Sequence, residues 1–264
     1  MGMILSTVIV LAVVGLLMGL MLVTASEKFK VEVDPRETAV RECLPGNNCG
    51  ACGYAGCDAL AAAIAKGEAV VNACPVGGAA VGDRIAGVMG VAAGAEMEKK
   101  VAFVKCAGTC ETHKPKCNYV GIETCEAAMT LPGKGIKACT YGCLGYGSCV
   151  AACQFNAIRV VDGLARVDRS KCVACGKCVA ACPQKLIEIL PDPSVYAVQC
   201  SNHEKGAFVK KLCAAGCIGC GLCVRQCEHD AVSLIGNVAH IDYTKCVGCG
   251  KCAEKCPVKV IRTR

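Results

Sequence analysis

Cys172, Cys175, Cys178 and Cys182 stand within eleven residues of one another, and Pro183 follows them. The same spacing returns at Cys246, Cys249, Cys252 and Cys256 before Pro257. It returns again at Cys217, Cys220, Cys223 and Cys227, where Glu228 takes the place of the proline. A loop this short can turn around a [4Fe–4S] cube so that three thiolates reach three irons. The fourth cysteine then starts a helix that points away and ligates the other cluster of a pair. Zinc sites more often divide their cysteines into two pairs with a longer spacer. Disulfides alone cannot use 27 cysteines, an odd number.

An internal repeat exposes a fourth run. Lys137 to Cys153 aligns with Lys211 to Cys227, and Tyr146 stands where Cys220 stands. Cys139, four residues before Cys143, is the expected substitute. Beyond each run lie two strands around a hairpin pair: 158–161 and 164–167 flank Asp162-Gly163, and 232–235 and 238–241 flank Gly236-Asn237. Both pairs favour tight turns. Each repeat thus reads as an α+β two-cluster module of the bacterial ferredoxin type. Crossed ligation gives explicit sets. The first module uses Cys139, Cys143, Cys149 with Cys182, and Cys172, Cys175, Cys178 with Cys153. The second uses Cys217, Cys220, Cys223 with Cys256, and Cys246, Cys249, Cys252 with Cys227.

Nearer the N-terminus, Cys49, Cys52 and Cys57 sit among glycines, and Cys74-Pro75 follows an alanine-rich segment, 58–66, that reads as a helix stopped by Gly67. Glycine lets the backbone wrap closely around a bulky inorganic group. This quartet suits a fifth cluster; zinc is the alternative. Seven cysteines remain: Cys43, Cys106, Cys110, Cys117, Cys125, Cys200 and Cys213. In the repeat Cys106 aligns with Cys200 and Cys139 with Cys213. A sixth centre could draw on Cys106, Cys125, Cys200 and Cys213, or on Cys106, Cys110, Cys117 and Cys125; structural or free thiols are the alternative. Five [4Fe–4S] clusters, or six, are therefore expected.

The formal charge of +7 counts every cysteine as neutral. At about two negative charges per oxidised cluster, five clusters move it to about −3. Basic pairs such as Lys99-Lys100 and Lys210-Lys211 then read as compensation and solvated faces, not as a nucleic-acid surface. No tryptophan is present and 4% of residues are aromatic, which speaks against a base-stacking platform. The histidines His113, His203, His229 and His240 are scattered, the Gly133-Lys134-Gly135 segment lacks the rest of a phosphate-binding loop, and no catalytic residue can be singled out.

These centres need elements to hold them. Residues 1–26 carry no charged side chain and are long enough to cross a bilayer as a helix. Glu27, Lys28 and Lys30 come directly after, which favours a cytoplasmic body. Gly15 and Gly19 form a pair that could pack on another membrane helix. The expected fold is thus a single N-terminal transmembrane helix (1–26), a linker (27–42), a mostly α-helical [4Fe–4S] domain (43–90), a cysteine-containing connector (91–135) and two α+β ferredoxin-like 2[4Fe–4S] modules (136–193 and 194–264).

The order of membrane helix, NCGACGYAGC quartet with a distal Cys-Pro, CTYGCLGYGSC run and paired ferredoxin runs resembles the B subunit of Rnf-type (Rsx-type) ion-translocating electron transport complexes. The likeness covers essentially the whole chain. Two modules and the segment from Cys200 to Gly206 are similar to the longer forms from anaerobes. Tyr146, Gln154 and Glu228 depart from the pattern and bear on ligand choice in the first run. The resemblance implies a membrane-bound subunit that takes electrons from ferredoxin or another redox protein. It would relay them to flavin-bearing membrane subunits, with Na⁺ or H⁺ translocation coupled elsewhere in the complex. Two other readings compete: the iron–sulfur subunit of a formate- or hydrogen-linked dehydrogenase, and a zinc-stapled interaction protein.

Overall fold

A computed structural model describes residues 2–28, 34–92, 98–193 and 195–263. The first helix, α1 (Gly2–Lys28), has its side chains described at 2, 8, 9, 11–26 and 28, and exposes Leu11, Leu16, Leu20 and Leu22. Among the described residues no helix is long and apolar enough to cross a membrane. The expectation of a single-pass transmembrane helix is corrected accordingly. Among the described residues, no atom lies within 4 Å of where a Cβ on Gly15 or Gly19 would stand. The side chain of Glu27, and Lys30 within residues 29–33, lie outside the described residues.

The N-terminal domain is helical. α2 (Pro35–Cys43) starts with proline in its first turn, and the Asp34 carboxylate accepts the Arg36 N–H at 2.8 Å. α3 (Cys57–Ala65) takes its cap from a distance: Asn48 Oδ1 accepts the Cys57 N–H at 2.8 Å, because Gly56 has no side chain to offer. Gly67, left-handed at φ +78°, follows its C-cap. α4 (Gly78–Met89) closes the bundle. Val40, Leu60, Ile64 and Ile85 are each 1% exposed or less. At roughly 1.5–3 kcal/mol per buried large aliphatic side chain, so few such groups make a small core.

Two α+β modules follow. In the first, β1 (Lys100–Val104) pairs antiparallel with β4 (Ile187–Pro191), and β2 (Ile158–Val161) forms a hairpin with β3 (Leu164–Val167). In the second, β5 (Tyr196–Val198) pairs with β8 (Ile261–Thr263) and β6 (Val232–Ile235) with β7 (Val238–Ile241). Both hairpins have the boundaries read from the sequence. Their turns carry two positive φ values each, +51° and +69° at Asp162-Gly163, +53° and +65° at Gly236-Asn237, as a tight hairpin of this twist requires. The strand β1, assigned by sequence to the connector, belongs to the first module by pairing. Its partner is more than eighty residues away, which no local pattern reveals.

Four one-turn helices carry the third cysteine of each run: α6 (Ser148–Ala151), α7 (Lys177–Ala180), α9 (Leu222–Arg225) and α10 (Lys251–Glu254). The intervening segment 105–136 straps the modules together. It includes α5 (Cys125–Met129), and its backbone bonds the end of α8 (Gly206–Leu212), with Lys114 N–H to Leu212 O at 3.3 Å and Ala214 N–H to Thr112 O at 2.9 Å.

Gly145 and Gly219 occupy equivalent places in the first run of each module, at φ +83° and +63°. A Cβ added there would lie 2.7 Å from Gly163 O and 2.8 Å from Asn237 O, in the turn of the module's own hairpin. Gly219→Ala therefore combines a left-handed penalty of about 1–2 kcal/mol with a backbone clash. The expected result is an earlier anoxic thermal loss of visible absorption than in the parent. An unchanged midpoint would contradict the close approach.

Candidate iron–sulfur centres

Each run is launched by a local device. In the second runs, the Asp168 carboxylate accepts from the Ser170 N–H (3.0 Å) and hydroxyl (2.6 Å), and Asp242 does the same with Thr244 at 3.0 and 2.6 Å. These hydrogen bonds hold both carboxyls below their ordinary range. The carbonyls of the same aspartates accept from Cys172 and Cys246 N–H at 3.1 and 3.0 Å. Before each one-turn helix a glycine turns left-handed: Gly147, Gly176, Gly221 and Gly250, with φ between +70° and +78°. That helix carries the backbone away from the cluster loop, so the fourth cysteine of each run reaches the other site.

The sulfurs gather as crossed sets. Cys178 lies within electrostatic reach of Cys172, Cys175 and Cys153, and Cys252 of Cys246, Cys249 and Cys227. Cys223 is near Cys217, Cys220 and Cys256, and all four line one cavity with Val260 and Ile261. In the N-terminal domain Cys49, Cys52, Cys57 and Cys74 line another, against Leu60 and Val76. Backbone N–H groups aim at the sulfurs: Gly77 to Cys74 (3.3 Å), Ala102 to Cys172 (3.3 Å), Ala157 to Cys153 (3.4 Å) and Leu186 to Cys182 (3.4 Å).

One set differs from the sequence reading. The cavity lined by Cys143, Cys149 and Cys182 takes Cys125 as its fourth sulfur, not Cys139. α5 brings it there. Cys125 is the first residue of that helix, Thr124 Oγ1 caps it by accepting from Ala127 N–H at 3.2 Å, and Cys125 N–H donates to Ser148 Oγ at 3.0 Å. Ser148 in turn opens α6, the helix that carries Cys149. Tyr146, in the place of the missing ligand, packs on the cluster of Cys125, Ala128 and Leu144. The only sequence signal for Cys125 was the vacancy left by Tyr146.

Cys139 lies instead with Cys106, Cys200 and Cys213 around a separate cavity. Neither sixth quartet considered from sequence forms, because Cys125 is engaged elsewhere. Cys110 and Cys117 are exposed, and Cys43 packs beside the N-terminal core.

Burial, with neighbouring thiolates adding to it, pushes the Cys149 thiol up to about 12 and those of Cys178, Cys200 and Cys223 up to about 11. Bare sulfurs in these sites stay protonated near neutrality, and loading a cationic iron–sulfide core displaces the protons. Among the described residues no three His, Cys, Asp or Glu side chains surround a single ion-sized point. All-thiol donor sets spread around wider cavities, with N–H groups directed at the sulfurs, fit a [4Fe–4S] cube better than one zinc ion.

Paired four-thiol sites on ferredoxin-like modules define a multi-cluster iron–sulfur electron carrier. Comparison with known proteins agrees. Residues 44–76 match an Fe-S cluster family, 165–188 the 4Fe-4S binding domain and 216–260 the 4Fe-4S dicluster domain. The chain is 47% identical to the B subunit of the Na(+)-translocating ferredoxin:NAD(+) oxidoreductase complex of Acetobacterium woodii, over 89% of this chain and 71% of that one. It is 42% identical to the B subunit of the ion-translocating oxidoreductase complex of Methanosarcina acetivorans, over 98% of both chains. With the B subunit of the proton-translocating ferredoxin:NAD(+) oxidoreductase complex of Clostridium ljungdahlii it shares 43% identity, over 89% of this chain and 82% of that one. The chain belongs to this family, the B subunits of Rnf-type ion-translocating oxidoreductase complexes. It is an electron-carrying [4Fe–4S] subunit of such an oxidoreductase.

Proposed function

We propose that the chain is a wire of [4Fe–4S] clusters working against the membrane subunits of its complex, from the cytoplasmic side. Five are assigned by donor set. Cys49, Cys52, Cys57 and Cys74 hold the N-terminal cluster. Cys125, Cys143, Cys149 with Cys182, and Cys172, Cys175, Cys178 with Cys153, serve the first module. Cys217, Cys220, Cys223 with Cys256, and Cys246, Cys249, Cys252 with Cys227, serve the second. When bound, the clusters supply one-electron storage at potentials set by hydrogen bonds to sulfur and by solvent exposure. The chain's own residues exclude water from the buried sulfurs, direct N–H groups at them and hold neighbouring sites in fixed order.

Two of the relatives are named ferredoxin:NAD(+) oxidoreductase subunits, one Na(+)-translocating and one proton-translocating. The electron donor proposed here is accordingly reduced ferredoxin, the exit is toward flavin-bearing membrane subunits, and ion movement takes place in those other subunits. The observation that supports the reading is the proximity of each run's fourth cysteine to the third cysteine of the other run in its module: Cys153 to Cys178, Cys182 to Cys149, Cys227 to Cys252 and Cys256 to Cys223. The test is stopped-flow mixing of the anoxically purified chain with reduced ferredoxin. Bleaching of its visible absorption at a rate that rises with ferredoxin concentration is expected. Chemically reducible clusters that take no electrons from ferredoxin would refute the donor.

A further inference from the structure

Among the described residues only three polar or charged side chains are buried: His113, Lys137 and Asn202, at 8%, 2% and 2% exposure. All three line one cavity, the one bounded by Cys106, Cys139, Cys200 and Cys213. A fold with such small cores has little reason to gather its buried polar groups at one point unless something charged sits there. Lys137 Nζ donates to Gly108 O and Gly163 O, both at 2.8 Å. Both acceptors are neutral carbonyls, so its charge is left to the cavity. A buried cation of this kind calls for an anion.

The sulfurs form a matching receptor. A Cβ built on Gly108 would lie 3.7 Å from both Cys106 Sγ and Cys213 Sγ, so these two sulfurs are at most twice that distance apart. A Cβ on Gly142 would lie 3.7 Å from Cys139 Sγ. Gly108 N–H donates to Cys106 Sγ at 3.4 Å, Asn202 N–H to Cys200 Sγ at 3.5 Å and Asn202 Nδ2 to Cys139 Sγ at 3.4 Å. The four residues are two equivalent pairs of the repeat: Cys106 with Cys200, and Cys139 with Cys213. Each repeat therefore brings half a site, and neither half is complete alone. None of the matched family segments, 44–76, 165–188 and 216–260, contains any of the four.

The quartet also touches both modules' cluster sites. Cys143 N–H donates to Cys106 Sγ at 3.5 Å, and the backbone N–H of Cys217 bonds the Cys200 sulfur. Cys143 belongs to a site of the first module and Cys217 to one of the second.

We propose that Cys106, Cys139, Cys200 and Cys213 hold a further [4Fe–4S] cluster at the junction of the two modules, through which electrons pass between them. The step is a one-electron exchange. The reduced cluster on one side is oxidised as the junction cluster is reduced, which is then reoxidised by the cluster beyond, and no bond is made or broken. Lys137 is a positioning cation that favours the more negative, reduced state and so raises the junction potential. The inference rests on the module runs holding such clusters.

The experiment is iron, zinc and sulfide analysis with redox-titrated EPR on the anoxically purified full chain and three variants. Parent protein is expected to carry about 24 irons, four per cluster. Cys213→Ser is expected to lose up to about four of them while the module signals persist; Cys117→Ser, at an exposed cysteine outside every set, should lose none. Lys137→Gln should keep its iron and lower the potential of one cluster. A parent with about 20 irons that Cys213→Ser does not reduce, or one zinc per chain lost with Cys213→Ser, overturns the junction cluster. An unmoved titration in Lys137→Gln overturns the role of the lysine. A parent that lacks iron altogether defeats the five-cluster reading, a separate outcome.

Discussion

Anoxic removal of iron with a chelator is expected to unfold both modules. The second module's core holds Val198, Val232, Val238, Ile241, Val260 and Ile261, but also Cys200, Cys217, Cys223, Cys252 and Cys256. Its sheets have two strands each, and its cluster-bearing helices have four residues. Two-stranded sheets are marginal in water, and one-turn helices lie far below the length that sustains itself. Structural zinc in zinc-finger peptides contributes roughly 10–16 kcal/mol near neutral pH, as much as the whole net stability of an ordinary domain, and a cluster held by four thiolates couples to folding in the same way. Once iron leaves, the sulfurs take up protons and that contribution vanishes. Far-UV circular dichroism should fall toward a coil spectrum, and the amides of the hairpins 158–167 and 232–241 should lose hydrogen-exchange protection. Protected hairpins in an iron-free chain would sink this account.

Cys125→Ser is expected to disable the cluster of the first module held by Cys143, Cys149 and Cys182. Serine keeps the start of α5 and its bond to Ser148 but offers a hard oxygen where a soft thiolate stood. Iron should drop by up to about four per chain, with loss of one EPR component. Rescue is the sharper measurement. Tyr146 stands in the register of Cys220, so Tyr146→Cys placed in the Cys125→Ser background returns a sulfur to the position the repeat uses in the second module. Recovery of iron and of the lost signal is expected. If Cys139→Ser, not Cys125→Ser, removes that component, the donor set is wrong. If the double variant stays deficient, the register argument fails even with the donor set intact.

Ligand choice shows how far local reading reached. The spacings within each run, the left-handed glycines before the helices and the turns at Asp162-Gly163 and Gly236-Asn237 act over a few residues, where steric limits on φ and ψ leave few solutions. The crossed placement of the fourth cysteines is local too, because a one-turn helix of fixed length carries each of them toward the neighbouring run's sulfurs. The exchange of Cys139 for Cys125 was not legible. The two candidates differ by how the strap 105–136 folds over the first module, and that depends on Ser148 and Tyr146 meeting α5 and on Tyr119 of the strap packing edge-on against Tyr146. Asp168 and Asp242, which launch the second runs, were missed because an Asp-x-Ser or Asp-x-Thr turn is common and signals nothing until its carbonyl is seen on the first cysteine.

By itself the sequence determined the number and spacing of thiols, the repeat, both hairpins and hence iron–sulfur electron transfer, since each is encoded in stretches short enough for covalent geometry to govern. Only the tertiary structure decided that β1 closes the first module, that Cys125 lines one cavity with Cys143, Cys149 and Cys182, and that the halves carrying Cys106, Cys139, Cys200 and Cys213 meet around Lys137. Those contacts join residues tens of positions apart. Their closure is settled by packing and charge compensation between distant surfaces, which a one-dimensional pattern does not contain.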